Sequence, residues 1–205
     1  MEPDTVELRV LGCLLEKQRT TPDQYPLTLN ALRLACNQAT NRDPVVDYDE
    51  ETIRGAIARL RRRDWVRFAS GQGSRAAKYR HLLDEALRLS PAEQAVLTVM
   101  MLRGPQTPGE LKGRTERLHP FGSLAEVEET VQRLIERGYA ERVERRPGQK
   151  EDRFGQLLDM RQDYSPEGDG RPARFAPGLH FLVAALGIVR TPDVPLPEFH
   201  AVSAG

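Results

Sequence analysis

Residues 9–22 read RVLGCLLEKQRTTP and residues 95–108 read AVLTVMMLRGPQTP, and the two stretches align without a gap at an offset of 86 positions. A second pair aligns at an offset of 74 positions, IARLRRRDW at 57–65 with VQRLIERGY at 131–139. The chain therefore contains one unit twice, and the first copy carries 12 extra residues between its matching ends. A duplication of this length predicts two sister domains.

Helix starts in the second copy are marked by three capping boxes, in which a hydroxyl residue precedes a glutamate by three positions. The three pairs are Ser90 with Glu93, Thr107 with Glu110, and Ser123 with Glu126. They predict helices at 90–103, 107–115 and 123–137. Alternating segments at 139–146 and 153–158 around a Pro-Gly turn then predict a β-hairpin.

The first copy repeats this order of elements. Its pattern predicts helices near 5–18, 27–38 and 50–63 and strands near 65–69 and 77–82. Three helices followed by a hairpin are typical of the winged-helix form of the helix-turn-helix, with the third helix as recognition helix and the hairpin as wing. We therefore expect a mainly α fold with small β-hairpins, of the α+β class, built as tandem winged-helix domains.

The predicted domains are residues 1–84 and 85–159, followed by a linker and an apolar tail at 160–205. The linker is rich in Gly and Pro, and the apolar run at 179–189 is shorter than the roughly 20 residues that a bilayer-crossing helix needs. The N-terminus opens with acids where a signal peptide would carry bases. These features predict a cytoplasmic protein without a membrane partner.

Three motifs of the first copy carry a family resemblance. They are Glu16-Lys17, TPDQYPLTLN at 21–30 and NQATNRDPV at 37–45. Together they resemble the signature segments of the YceH-like family of bacterial proteins, over roughly residues 6–158. The resemblance implies a tandem pair of winged helices and brings no established activity with it.

The formal net charge is zero, but it is unevenly distributed. Residues 1–51 carry 10 acids and 5 bases, residues 52–82 carry 1 acid and 9 bases, and residues 83–205 carry 19 acids and 16 bases. The basic block covers helix 50–63 and the first hairpin, so it predicts contact with the phosphates of double-stranded DNA. The candidate DNA-binding residues are Arg54, Arg61, Arg62, Arg67, Arg75, Lys78 and Arg80.

An alternative remains open for this block, namely a solvated helix face paired with acids of a neighbouring domain. Asp49, Glu50 and Glu51 favour it in part, because they lie where base-reading residues of a recognition helix normally sit. The equivalent helix of the second copy is acidic, with Glu126, Glu128, Glu129 and Glu136 against Arg133 and Arg137. That helix predicts protein contact, with copy one, with a second subunit of a homodimer or with another partner. The rival function is thus a protein–protein interaction scaffold without DNA binding.

A polar loop precedes helix 50–63 and contains Asn37, Asn41 and Arg42. The amides and the guanidinium could bind a phosphate or a partner. Alternatively, the side chains brace the loop through hydrogen bonds to its own backbone.

The sequence offers little for catalysis. Its four histidines are dispersed, and neither a nucleophile elbow nor a phosphate-binding loop occurs. Cys13 and Cys36 are separated by 22 intervening residues, a spacing that favours neither a zinc site nor a disulfide framework. We therefore expect no enzyme, no cofactor and no metal.

Overall fold

The computed structural model describes residues 3–69, 76–143 and 150–158. The first copy contains α1 (Thr5–Thr20), a 3-10 turn (Pro22–Gln24), β1 (Leu27–Thr28), α2 (Leu29–Cys36), α3 (Glu50–Arg62), β2 (Val66–Phe68) and β3 (Lys78–His81). A short helix, α4 (Leu83–Leu87), leads to the second copy. That copy contains α5 (Pro91–Arg103), α6 (Pro108–Thr115), α7 (Leu124–Glu136), β4 (Ala140–Val143) and β5 (Arg153–Gln156). The predicted mainly helical α+β class is confirmed.

Two of the three predicted capping boxes are complete. At Ser90 and Thr107 the hydroxyl accepts from the third backbone N–H of the helix, and the glutamate there accepts from the cap N–H. At Ser123 only half of the motif is present, because the Glu126 carboxylate accepts from Gly122 N at 2.9 Å instead. The helix start is nevertheless where the pattern predicted it.

The sheet of the first copy has the strand order β1–β3–β2, with both pairs antiparallel. Phe68 lies opposite Tyr79, and Arg67 lies opposite Arg80. Because side chains alternate along a strand, Tyr79 faces the core while Arg80 and Lys78 face the other side of the sheet. The strand β1 was not predicted, since two residues are too few to give a periodic pattern.

Both copies contribute to one hydrophobic core. Helix α1 packs along α5, and each helix is buried over most of its length, from Glu7 to Leu15 in α1 and from Glu93 to Leu102 in α5. A helix that is buried almost all round has no room for a polar face, which explains the long apolar runs in the duplicated stretch. The predicted boundary at residue 84 falls within α4 and stays a prediction.

Gly12 sets the distance between α1 and α5. A Cβ built on Gly12 would lie 2.8 Å from Leu102 Cδ2 and 3.3 Å from Met101 Cβ. We expect Gly12→Ala to destabilise the protein by about 1–3 kcal/mol, because the added methyl group overpacks this contact. The control is Gly113→Ala in α6, where a Cβ meets nothing within 4 Å and alanine should stabilise the helix by roughly 0.5–1 kcal/mol. If urea denaturation shows that both substitutions change the free energy of unfolding in the same direction, the close approach at Gly12 is contradicted.

Candidate nucleic-acid interface

Helix α3 is positioned by its cap and by its apolar stripe. The Asp49 carboxylate accepts from Thr52 N at 2.7 Å, and this bond lowers the pKa of Asp49. The buried positions of the helix, at helical spacing, are Ile53, Ala56, Ile57 and Leu60. The opposite face is exposed to solvent and carries the three arginines predicted there, Arg54, Arg61 and Arg62.

Arg61 is held in place by an aromatic side chain. Its guanidinium lies 3.8 Å from the centroid of the Phe68 ring, within the range of a cation–π contact. Phe68 is itself 43% exposed and packs on Tyr79, with the ring centroids 5.2 Å apart. The centre of this surface is therefore an exposed arginine–phenylalanine stack.

The other two arginines of this face are more loosely held. Arg54 approaches Glu50 at 3.9 Å, with both side chains more than half exposed, so this ion pair contributes little. Within the described part of the chain, Arg62 has no carboxylate partner. Both guanidinium groups are therefore available to an anionic ligand.

The hairpin candidates do not join this face. Arg67, Lys78 and Arg80 lie on the side of the sheet opposite to Phe68, because they alternate with its buried residues. The guanidinium of Arg80 is also paired with Glu85 at 2.9 Å. Arg75 lies outside the described residues. The structure thus brings together the α3 arginines and separates them from the bases on β2 and β3.

Two further bases of the block hold α3 against α1. Arg59 reaches Asp4 at 2.7 Å and Glu7 at 3.1 Å. Arg63 lies 3.5 Å from the other oxygen of Glu7, whose side chain is only 1% exposed. These acids belong to the same copy and not to a neighbouring domain, but the pairs show that the basic block offers less free charge than its composition indicates.

Arg42 is a buried structural arginine. Its side chain is 0% exposed, and its guanidinium donates to both carboxylate oxygens of Glu16, at 2.6 and 3.0 Å. It also donates to the backbone oxygen of Ala35 and to the side chain of Gln38. Burial alone would lower the pKa of Arg42, but the bonds with Glu16 raise it above its ordinary value. This geometry favours the bracing interpretation of the loop.

The two asparagines of the loop make comparable contacts. The Asn37 amide donates to Tyr48 O at 2.8 Å and accepts from Tyr48 N at 2.9 Å. Asn41 Oδ1 accepts from Arg103 Nη2 at 3.0 Å, so the loop is tied to the end of α5. This loop therefore connects the first copy to the second.

The equivalent surface of the second copy forms an open groove of about 750 Å³ between α7, the start of α6 and the strands β4 and β5. Its acidic lining residues are Glu128, Glu129, Glu151 and Asp152. Two arginines also line it, and one of them, Arg142, is paired with Asp152 at 3.1 Å. An acidic groove repels phosphate.

His81 is the last residue of β3, and its side chain is buried. Its Nε2 lies 2.8 Å from Gln18 Oε1, and its Nδ1 lies 3.4 Å from Asp84. Burial lowers the pKa of His81 to about 4, although the charge of Asp84 acts in the opposite direction and those of Arg80 and Arg19 act with burial. The imidazole is therefore neutral in the folded protein near neutral pH.

The depressed pKa predicts acid sensitivity. The unfolded chain takes up a proton near the ordinary histidine pKa of about 6.5 and the folded chain does not, so stability is full above that pH and falls as the pH drops toward 4. We expect a loss of about 2 kcal/mol between pH 7 and pH 5. Urea denaturation of the parent and of His81→Gln across this pH range measures the loss, because the variant lacks the contribution of His81 to the pH dependence of the free energy of unfolding. Parallel pH dependence of the two proteins would contradict the assignment.

Among residues 3–69, 76–143 and 150–158, no helix is long and apolar enough to cross a membrane. In the same part of the chain, no three His, Cys, Asp or Glu side chains are grouped so that they could hold a metal ion. Cys13 and Cys36 are both free and buried.

Fold and site together define a small, mainly helical protein with a duplicated helix–hairpin unit, whose third helix is basic in the first copy and acidic in the second. The chain belongs to the family described as "Protein of unknown function, DUF480", whose model matches residues 4–149. The match extends over both copies. It confirms the membership of an uncharacterised bacterial family that the sequence motifs predicted.

Relatives in several bacteria resemble the chain over most of its length. A UPF0502 protein of Citrifermentans bemidjiense is 51% identical over 164 residues, which cover 79% of this chain and 76% of the relative. One of Solibacter usitatus is 52% identical over 155 residues, covering 76% and 75%. One of Pectobacterium carotovorum is 43% identical over 175 residues, covering 82% and 83%.

Proposed function

We propose that this protein is a cytoplasmic DNA-binding or regulatory protein, without enzymatic activity, that contacts the backbone of duplex DNA. Each copy is interpreted as a winged helix, with α3 as the recognition helix of the first copy and β2–β3 as its wing. The observation that carries the proposal is the exposed face of α3 with Arg54, Arg61 and Arg62. Guanidinium groups spaced along one helix face suit the regular spacing of phosphates along a duplex.

The same helix argues against reading of the base sequence. Its first turn carries Asp49, Glu50 and Glu51, and the N-terminal residues of a recognition helix are those that reach base edges. Carboxylates at that position repel the phosphates on both sides of the DNA groove. Binding should therefore rest on phosphate contacts, which position a protein on DNA without specifying sequence.

A second candidate function is a protein-interaction scaffold. The specific observation in its favour is the acidic groove beside α7, a concave surface of a kind that binds peptides or protein segments. Ion pairs made by Arg59, Arg63 and Arg80 within the first copy also reduce the charge available to DNA. The two functions differ in whether the α3 arginines contact nucleic acid.

A mobility-shift titration tests the proposed function. The full chain is titrated against a random-sequence duplex and against fragmented genomic DNA at two salt concentrations. We expect weak binding that is similar for both DNAs and falls steeply at the higher salt, since released counterions drive phosphate contacts. Absence of binding at low salt, or affinity that is insensitive to salt, would contradict the proposal.

A further inference from the structure

The groove beside α7 combines an apolar floor with an acidic rim. Leu124 is 44% exposed at one end, and Phe154 contributes to the floor. Glu128 and Glu129 stand on α7 at one side of the groove, and Glu151 stands at the other. Apolar centres surrounded by charged rims are typical of protein interfaces.

The complementary arrangement occurs on the first copy. Phe68 is partly exposed, and the Arg61 guanidinium lies over its ring. Arg62 adds a second positive charge on the same helix, and Arg54 a third. An apolar side chain of β2 is thus flanked by bases of α3, whereas in the groove beside α7 four acids outnumber the two arginines. Aromatic side chains and arginines are also the residues most enriched at the centres of protein interfaces.

We propose that the groove beside α7 binds the α3 face of a second copy of this chain. The contact joins two different surfaces, so it is head-to-tail, and further copies can add to either end. Charge complementarity selects the occupant: the α3 arginines of one protomer meet Glu128 and Glu129 of the next, and the Arg61–Phe68 stack covers the exposed Leu124. The inference does not depend on DNA binding, although DNA at the α3 face would compete with self-association.

Charge reversal on each side tests the contact. One variant carries Glu128→Arg and Glu129→Arg, and the other carries Arg61→Glu and Arg62→Glu. Each should self-associate at least ~10-fold more weakly than the parent, because like charges then face each other. An equimolar mixture of the two should associate again, because the unchanged α3 face of the first variant matches the unchanged groove of the second, and the two reversed surfaces also match each other. The control is Arg117→Glu, an exposed position that does not line the groove.

Sedimentation velocity of the full chain at low salt, over a range of protein concentrations, measures self-association, with circular dichroism to verify that each variant is folded. Concentration-dependent association of the parent, its loss in both variants and its return in the mixture support the proposal. A parent that stays monomeric overturns it. So does association that survives either reversal, or a mixture of folded variants that stays monomeric. The DNA titration is a separate measurement, so the proposal of DNA binding and the proposal of self-association can each fail without the other.

Discussion

Replacing Arg42 by alanine is expected to lower the free energy of unfolding by about 3–5 kcal/mol, the usual cost of removing one partner from a buried ion pair. The guanidinium neutralises Glu16, which is itself mostly buried, and satisfies the carbonyl of Ala35. Without it, a mostly buried carboxylate keeps only the Lys17 ammonium group, at 3.7 Å, as a cation beside it. The loop that ties the first copy to α5 is also deprived of its central brace.

Urea denaturation with a constant m-value measures this effect. Arg42→Lys should fall between the parent and the alanine variant, because one ammonium group cannot reproduce a bidentate contact. Arg117→Ala removes an exposed arginine and should change stability by no more than about 0.5 kcal/mol. A loss below about 1 kcal/mol for Arg42→Ala would show that Arg42 does not brace the loop. The result would then favour the alternative interpretation, in which the loop binds a phosphate.

The helices could be predicted from sequence because their ends are set by local chemistry. Ser90 and Thr107 mark starts that fall within one residue of the observed helices. Gly138 follows α7 with a φ of 68°, a conformation that favours glycine at a helix end. Because the two copies align, the same order of elements could be predicted for the first copy. Strand β1 and helix α4 are too short to leave such a signal.

The partners of the charged residues could not be predicted, since they are far apart in the sequence. Arg42 and Glu16 are 26 residues apart, and Arg59 and Glu7 are 52 residues apart. In a count of charges Arg59 is one more base of the block, whereas in the structure it is paired with Asp4 and Glu7. The separation of Arg67 from the α3 face was within reach of sequence reasoning, because the two-residue period of a strand puts it opposite to its neighbour Phe68.

The second large effect concerns the α3 face itself. The triple change Arg54→Ala, Arg61→Ala, Arg62→Ala should flatten the dependence of log affinity on log salt by roughly two to three units, at about 0.9 for each phosphate that is no longer neutralised. Its stability should change little: removal of the Arg61–Phe68 stack costs about 0.5–1 kcal/mol, and the melting temperature should fall by no more than about 4 °C. An effect on binding would then not result from unfolding.

A matched control removes the same number of bases from the second copy. Lys112→Ala, Arg114→Ala and Arg117→Ala change residues at the end of α6 and beyond it, outside the acidic groove. The net charge changes by the same amount as in the α3 variant. A difference between the two triple variants therefore reports position and not total charge.

Fluorescence anisotropy of a labelled random-sequence duplex, titrated with parent, α3 variant and control at several salt concentrations, tests the central claim most directly. The claim predicts a steep log–log slope for the parent, the same slope for the control, and a slope shallower by roughly two to three units for the α3 variant. An α3 variant that binds duplex with the affinity and salt slope of the parent would show that α3 does not contact DNA.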